Sequence, residues 1–137
     1  MPLITPLEGI ARMIIVEKIS EIASLLLRAA KEENVATMWE FHNLFEDNIP
    51  MNDKYDTLEA ASRALEYPKI AIYSAVLAKK DTGLPGGGFF DVFLNSKREK
   101  AIELIGEKSL HQLTLEDKKL ITEYERKVVY KNAQKRF

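Results

Sequence analysis

The sequence contains no cysteine, and it is poor in histidine. Without a thiol the chain has no disulfide, no thiolate metal ligand and no cysteine nucleophile, which fits a reducing compartment such as the cytoplasm. The two histidines, His42 and His111, do not stand at a metal-ligand spacing from each other or from repeated carboxylates. The sequence therefore predicts no metal site and no cofactor.

Long hydrophobic runs and an excess of one charge are also lacking. No apolar stretch approaches the roughly 18 residues of a membrane-spanning helix. The residues from Met1 to Glu8 lack the basic region and cleavage site of a secretory signal. With 20 basic and 21 acidic residues, the formal net charge of -1 does not indicate overall attraction to nucleic acid or anionic lipid. We expect a soluble cytoplasmic protein that does not enter a membrane.

The composition that remains is that of a globular protein. Hydrophobic residues make up 46% of the chain and charged residues 30%, which argues against disorder. A length of 137 residues suits one core, so we expect residues 1–137 to form a single domain.

The clearest helix start lies near the N-terminus. Thr5 suits the N-cap, Pro6 the first helical position and Glu8 the capping box. The apolar period that follows predicts a long helix to about Glu33. Its apolar face is wide enough to indicate contact on more than one side, so a homodimer is indicated about as strongly as a monomer.

Helical spacing continues through the middle of the chain. Val35 to Glu46 predicts a short helix whose aromatic residues anchor the core, and residues 47–54 predict a loop. Asp56 and Glu59 together predict the start of the next helix. That helix must end before Pro68, because the residue preceding a proline avoids helical geometry.

The stretch from Lys69 to Lys80 fits either a buried strand or a buried helix, because its apolar residues satisfy both patterns. Its β-branched residues, and a turn ending at Gly83, favour the strand. Thr114 and Asp117 predict the start of the last helix. The predicted fold is mainly α with a small β element, in which long N- and C-terminal helices pack around a short hairpin or strand. An all-α fold is the alternative.

The most distinctive segment runs from Ser74 to Phe90 and reads SAVLAKKDTGLPGGGFF. It resembles a pattern found in small bacterial proteins with no assigned activity. In those proteins a strand ending in a basic residue turns through a glycine and enters a Pro-Gly-x-Gly-Phe-Phe stretch. With Thr57 to Leu65 counted as the preceding helix, the resemblance covers about a quarter of the chain. It implies local structure and a prokaryotic origin, and it implies no activity.

The three glycines of this segment suggest an anion site. Glycines before a helix can expose consecutive backbone N–H groups, which would suit phosphate or carboxylate. The alternative is that they only allow Phe89 and Phe90 to turn into the core. The segment is neither a Walker A motif nor a dinucleotide fingerprint. The predicted ligand- or partner-binding residues are Lys79, Lys80, Gly86, Gly87, Gly88 and Phe90.

A helix-turn-helix is a further interpretation of residues 57–73, provided that the chain is helical from Lys69 onward. Lys69, Ser74 and Lys79 would then be able to contact DNA. Glu66 stands where such motifs usually have glycine, and its charge would oppose phosphate. A buried hairpin after a helix is therefore favoured.

Two side chains are candidates for acid/base catalysis. Asp91 lies between apolar neighbours directly after the glycines, and His42 lies among aromatic residues. The alternatives are that Asp91 caps a turn or faces water, and that His42 is an ordinary residue at the edge of the core.

The function that these patterns favour is a non-enzymatic binding or regulatory module of a bacterium, phage or mobile element. It would contact a protein or nucleic-acid partner through the turn from Lys79 to Asp91. The alternatives are a small enzyme acting on a phosphate-bearing or nucleic-acid substrate, and a helix-turn-helix regulator that binds DNA.

Overall fold

Six α-helices and two short strands form the regular structure of residues 13–137, which are the residues described by the computed structural model. This arrangement confirms the prediction of a mainly α fold with a small β element. In chain order the elements are α1 Val16–Lys31, β1 Ala36–Thr37, α2 Met38–His42, α3 Met51–Leu65, β2 Leu77–Ala78, α4 Gly87–Ser96, α5 Arg98–Ile105 and α6 Leu115–Arg136. Two short 3-10 turns, Tyr73–Val76 and Leu110–Gln112, complete the order.

The two strands form a parallel sheet in which Ala36 lies opposite Leu77. The ambiguous stretch from Lys69 to Lys80 is thus neither a long strand nor an α-helix. It contains a 3-10 turn and then β2. The turn predicted at Gly83 does form, with glycine at φ 73°, but the strand before it pairs with the distant β1. No hairpin of two strands results among the described residues.

The long helix predicted to reach Glu33 does not include residues 13–15, which are not helical. The helix that reaches Lys31 begins at Val16, and the expected start at Thr5, Pro6 and Glu8 lies outside the described residues. The backbone N–H of Ile15, the N-cap residue, donates to Thr57 Oγ1 of α3 at 2.9 Å.

The predicted helix from Val35 to Glu46 is divided between β1 and α2. Thr37 ends the strand and caps the helix, because its Oγ1 accepts from the Glu40 N–H while its own N–H donates to Glu40 Oε1, each at 3.0 Å. Phe41 is fully buried, as expected of a core aromatic, whereas Trp39 is 73% exposed.

The start of α3 was predicted incorrectly. The helix begins at Met51 rather than near Asp56, and it includes the second half of the predicted loop, residues 51–54. Pro50 occupies the N-cap position, and Asp53 lies in the first turn, where a carboxylate complements the positive end of the helix dipole. The helix ends at Leu65, in agreement with the limit set by Pro68.

The C-terminal helix starts where the sequence predicts. Thr114 Oγ1 accepts from the Asp117 N–H at 3.1 Å, and the Thr114 N–H donates to Asp117 Oδ2 at 3.0 Å. This capping box begins α6, which then continues to Arg136.

The core lies where α1, α3 and α6 surround the 3-10 turn Tyr73–Val76. The apolar face of α1 contacts both other helices and this turn, while Val16 at its start is 70% exposed. The largest fully buried apolar side chains are Tyr73, Phe41, Phe90, Phe93, Ile22, Leu26, Ile72, Leu77, Ile121, Val76 and Val129. No helix within residues 13–137 is long and apolar enough to cross a membrane.

Polar side chains of α6 hold the irregular chain before β2 in place. The carboxylate of Glu125 accepts from the Ile72 N–H at 2.8 Å and from Lys97 Nζ at 2.7 Å. Lys97 Nζ also donates to the carbonyl oxygen of Ile70 at 3.1 Å. A buried backbone without regular pairing thereby obtains its hydrogen bonds from side chains.

Arg126 performs the same task one residue further along α6. Its Nε donates to the carbonyl oxygen of Ala75 at 2.7 Å, and its Nη2 donates to that of Gly83 at 2.9 Å. One guanidinium group therefore connects the 3-10 turn to the turn that follows β2.

Candidate functional site

An open cleft of about 550 Å³ lies between α3 and α4. We call it the α3/α4 cleft. Ser74 and Leu77, which precede and begin β2, also line it, as do Met38 and Leu110. Its volume falls in the range of small-ligand sites, and apolar and polar groups share its lining.

Helical spacing explains how each wall is formed. From α3, Asn52, Tyr55, Asp56, Glu59 and Arg63 follow one another at intervals of one to four residues and fall on one face. From α4 the cleft receives Gly87, Gly88, Asp91, Val92, Asn95 and Ser96, which share a face in the same way, together with Phe89. Two helix faces that are distant in sequence thus form a single site.

The structure brings six of the predicted site residues together. The residues that line the cleft are Ser74, Lys79, Gly86, Gly87, Gly88 and Asp91. Four predicted residues do not line it: Lys69 and Lys80 are exposed elsewhere, Phe90 is in the core, and His42 is on α2. The whole α3 wall was missed, because no local pattern relates residues 52–63 to residues 86–96.

At two of the three glycines near the start of α4, Gly87 and Gly88, neighbouring atoms leave room for a side chain. A Cβ atom built at Gly87 or Gly88 would meet no atom within 4 Å, whereas at Gly86 it would meet Met38 Cε at 3.4 Å. Neither Gly87 nor Gly88 has a positive φ. The interpretation that the glycines only let the aromatic residues turn inward therefore does not explain these two.

Backbone donors are available at the same place. Gly86 is the N-cap of α4 and supplies no side chain to accept from the first N–H groups. The N–H groups of Gly87 and Gly88 have no acceptor among residues 13–137. Such groups, with the aligned peptide dipoles of a helix, attract anions.

Ser74 adds a hydroxyl-bearing residue to the lining. The residue is 8% exposed, and its N–H donates to Ser62 Oγ at 3.3 Å. The residue also lines the cleft.

The charges of the cleft are mixed. Asp56, Glu59 and Asp91 contribute acidic groups, and Arg63 and Lys79 contribute basic ones. Arg63 Nη2 lies 3.1 Å from Glu59 Oε1. Lys79 forms no ion pair with another described residue.

Asp91 is exposed in the cleft, where its Oδ1 accepts from Asn95 Nδ2 at 3.3 Å. His42 packs instead against the rings of Phe41 and Tyr55. Burial lowers the pKa of His42, and the charge of Lys54 lowers it further. The two candidate acid/base residues therefore do not share the cleft.

The helix-turn-helix interpretation requires a second α-helix from Lys69 onward. The structure has a turn, the 3-10 turn Tyr73–Val76 and β2 there, because side chains of α6 supply the hydrogen bonds that a helix would form internally. Ser74, a predicted DNA contact, is buried. The segment thus lacks the recognition helix of that motif.

Within residues 13–137 no group of three or more His, Asp or Glu side chains is arranged to hold a metal ion. Comparisons with known protein families, with curated proteins and with solved structures find no match to this chain. Functional inference therefore depends on the geometry of the cleft.

Proposed function

We propose that this protein is a non-enzymatic binding module of a bacterium, phage or mobile element, which acts in the cytoplasm and takes a segment of a partner protein into the α3/α4 cleft. The observation that carries this proposal is the convergence of Ser74, Lys79, Gly86 to Gly88 and Asp91 on one cleft. All of these residues except Asp91 belong to the distinctive segment from Ser74 to Phe90, and Asp91 follows it directly.

The lining of the cleft suits a polypeptide segment. Leu58, Leu77, Phe89 and Val92 offer apolar contact, and the charged groups around them are of both signs. Sites of this kind combine an apolar surface with a few polar groups that orient the ligand. A peptide chain supplies both kinds of partner.

Nucleic acid is the less favoured partner because of the acidic groups. Asp56, Glu59 and Asp91 would face phosphates entering the same space as Lys79. We expect no salt-dependent binding of duplex DNA, single-stranded DNA or RNA in a fluorescence-anisotropy titration at low and moderate salt. Submicromolar binding that weakens steeply with salt would overturn the preference for a protein partner.

The enzymatic alternative has no comparable support. Asp91 lines the cleft, but His42 does not, so the two candidate acid/base residues cannot act together on one ligand there. Oligomeric state is a separate prediction. Because the buried residues of α1 pack against α3, α6 and the 3-10 turn Tyr73–Val76 of the same chain, we expect a monomer in sedimentation-velocity measurements.

Selection from a displayed library of random peptides tests the proposal. We expect the wild-type protein to enrich peptides that bind with micromolar or better affinity. Lys79→Glu should weaken that binding at least tenfold, because Lys79 lines the cleft. Lys80→Glu is the matched control, since it makes the same charge change at the next exposed residue outside the cleft. No enrichment, or equal losses in the two variants, would contradict the proposal.

A further inference from the structure

We propose that His42 makes the α3/α4 cleft sensitive to pH. When the imidazole gains a proton, its ring turns out of the aromatic cluster in which it packs, and Tyr55 loses its fixed position in the wall of the cleft. The cluster consists of Phe41, His42, Phe45 and Tyr55, and we call it the His42 cluster. The inference rests on the proposed function where it concerns the partner, since it names the regulation of the same site.

The Nδ1 atom of His42 is the first observation. This atom is buried, and it has no hydrogen-bond partner within residues 13–137. Buried polar atoms in proteins are normally hydrogen-bonded. A neutral imidazole can leave one nitrogen without a proton, whereas a charged imidazole carries an N–H group on both nitrogens. Protonation therefore places a charged donor where no acceptor is available.

The charges around the ring also oppose protonation. On α3, Lys54 Nζ lies 5.6 Å from the centre of the Phe45 ring, and its charge adds to the effect of burial in lowering the pKa of His42. Tyr55 is the other titratable residue of α3 that packs against the ring. Within α2, Glu40 is bound by the N-cap residue and by an arginine of α1. No carboxylate in the described part of the chain offsets the effect of Lys54 on His42.

Tyr55 connects the His42 cluster to the cleft. Its ring stacks on that of Phe41, with 6.2 Å between the ring centres and an angle of 14° between the planes. The ring of His42 meets it edge-on, also with 6.2 Å between the centres. Tyr55 lines the cleft as well, and it is 39% exposed. One side chain thus contacts the histidine and faces the space that the partner would enter.

The response to protonation falls on the side chain of His42 rather than on the whole of α2. Phe41 is fully buried and holds this helix in the core. His42 is only partly buried, so a rotation of its ring brings Nδ1 to water. Tyr55 then keeps its contact with Phe41 and loses the one with His42. A partner must order the Tyr55 ring again when it binds, which weakens binding.

The direction of the pH effect follows from the lowered pKa of His42. At neutral pH the ring is uncharged, and the His42 cluster holds Tyr55 in place. As the pH falls below the ordinary value of 6.5 toward the folded-state pKa, the unfolded chain takes up the proton before the folded chain does. The stability that the neutral ring contributes is lost over this range, and the ordered wall of the cleft is lost as the folded chain is protonated.

The first test is a pH titration of the labelled full chain from pH 8 to pH 4, followed by NMR through the histidine and tyrosine ring signals. We expect the midpoint of His42 to lie below pH 6.5 and the ring signals of Tyr55 to change with the same midpoint. His111, which is exposed, is the internal control, and the Tyr55 signals should not follow it. Constant Tyr55 signals during the titration of His42, or a His42 ring that stays neutral to pH 4, would overturn the proposal.

A substitution at Lys54 tests the coupling without changing the histidine. Lys54→Met removes the opposing charge and keeps an apolar side chain over the ring of Phe45. It should raise the midpoint of His42, and the transition of Tyr55 should move with it. Lys80→Met, at an exposed position outside the cleft, is the matched control and should leave both midpoints unchanged. A Tyr55 transition that stays at the wild-type pH while the His42 midpoint moves would overturn the coupling.

Peptides from the displayed library test the consequence for the partner. A histidine-free peptide that binds only when His42 is neutral should lose about tenfold in affinity one pH unit below the measured midpoint, because about nine-tenths of the free protein is then protonated. By reciprocity, saturating peptide should shift the midpoint of His42 to lower pH. His42→Phe, which keeps an aromatic ring, should bind equally well at both pH values. An equal loss in His42→Phe and in the wild type would overturn the switch.

Two further outcomes keep the test independent of how His42→Phe folds and of whether a peptide binds. In Lys54→Met the loss of affinity should move to higher pH together with the midpoint of His42. Peptides that bind the wild type with the same affinity throughout the titration of His42 would overturn the pH switch and leave the binding module standing. Tyr55 signals that follow His42 while no peptide binds would support the switch and contradict the partner-protein function.

Discussion

Glu125 Oε1 lies 2.7 Å from Lys97 Nζ, and the two side chains are 0% and 9% exposed, respectively. The contact joins α6 to the residue that separates α4 from α5. Burial raises the pKa of Glu125, while Lys97 and the N–H of Ile72 act in the opposite direction. Both ions have additional hydrogen bonds to the backbone at Ile70 and Ile72, so removing either ion leaves several polar groups without partners.

The first prediction follows from this pair. Glu125→Ala should lower the free energy of unfolding by about 3–5 kcal/mol, because it leaves the Lys97 charge and the Ile72 N–H buried without a partner. Urea denaturation would measure the loss. Glu103→Ala, which removes the exposed partner of Lys100, is the control and should cost less than about 1 kcal/mol. Similar losses in the two variants would mean that burial of the pair does not matter.

The second prediction concerns acid stability. A hydrogen bond from Asn132 holds the pKa of Glu66 below its ordinary value of 4.5, and the Tyr67 N–H and the charge of Arg136 act in the same direction. Because the pKa is lower in the folded state, the carboxylate stabilises the fold at neutral pH. That contribution is lost as the pH falls through 4.5 toward the folded-state pKa.

Glu66→Gln should therefore lose less stability than the wild type between about pH 6 and pH 3. Chemical denaturation at a series of pH values would show the difference. Glu123→Gln, at an exposed position on α6, should retain the wild-type pH dependence. An unchanged acid slope in Glu66→Gln would contradict the assigned hydrogen-bond network.

The third prediction compares two glycines. Gly106 ends α5 at φ 81°, where an L side chain is strained, whereas Gly88 lies inside α4 with open space around its Cβ position. Gly106→Ala should destabilise the protein by about 1 kcal/mol or more, and Gly88→Ala should stabilise it by about 0.5–1 kcal/mol. Thermal unfolding of both variants would test the opposite signs. A lower stability in Gly88→Ala would indicate that the glycine is needed for folding.

The fourth prediction compares two aromatic residues of α2. Phe41 is fully buried and lies against Phe45 and Tyr55, while Trp39 is 73% exposed. Phe41→Ala should cost about 3–5 kcal/mol, and Trp39→Ala less than about 1 kcal/mol. Urea denaturation followed by circular dichroism suits both variants, since one lacks the single tryptophan. A large loss in Trp39→Ala would reveal a contact to this side chain that the described residues do not show.

Local signals were sufficient for several features. The capping box at Thr114 and Asp117, the left-handed turn at Gly83 and the helix end set by Pro68 all depend on residues close in sequence. The incorrect prediction that α3 starts near Asp56 also came from residues close in sequence. Asp56 and Glu59 have the spacing of a capping box, but the chain is already helical at Met51.

Features that depend on distant residues could not be predicted. The pairing of Ala36 with Leu77 depends on contacts across about 40 positions, and the α3 wall of the cleft is brought to α4 only by the complete fold. Glu125 stands among polar residues of α6, and nothing near it in the sequence indicates that it is buried and forms an ion pair with Lys97. The resemblance to bacterial proteins carrying the Pro-Gly-x-Gly-Phe-Phe stretch stays a prediction.

Arg126 has a consequence for the rate at which a partner would bind. Its hydrogen bonds to Ala75 and Gly83, with the Lys79 N–H bound to the Leu84 carbonyl oxygen at 2.9 Å, fix both ends of the turn that carries Lys79. A surface that is already ordered loses little conformational entropy when it is occupied. We therefore expect association to proceed as one bimolecular encounter, with an observed rate that rises linearly with partner concentration and shows no slow rearrangement afterwards.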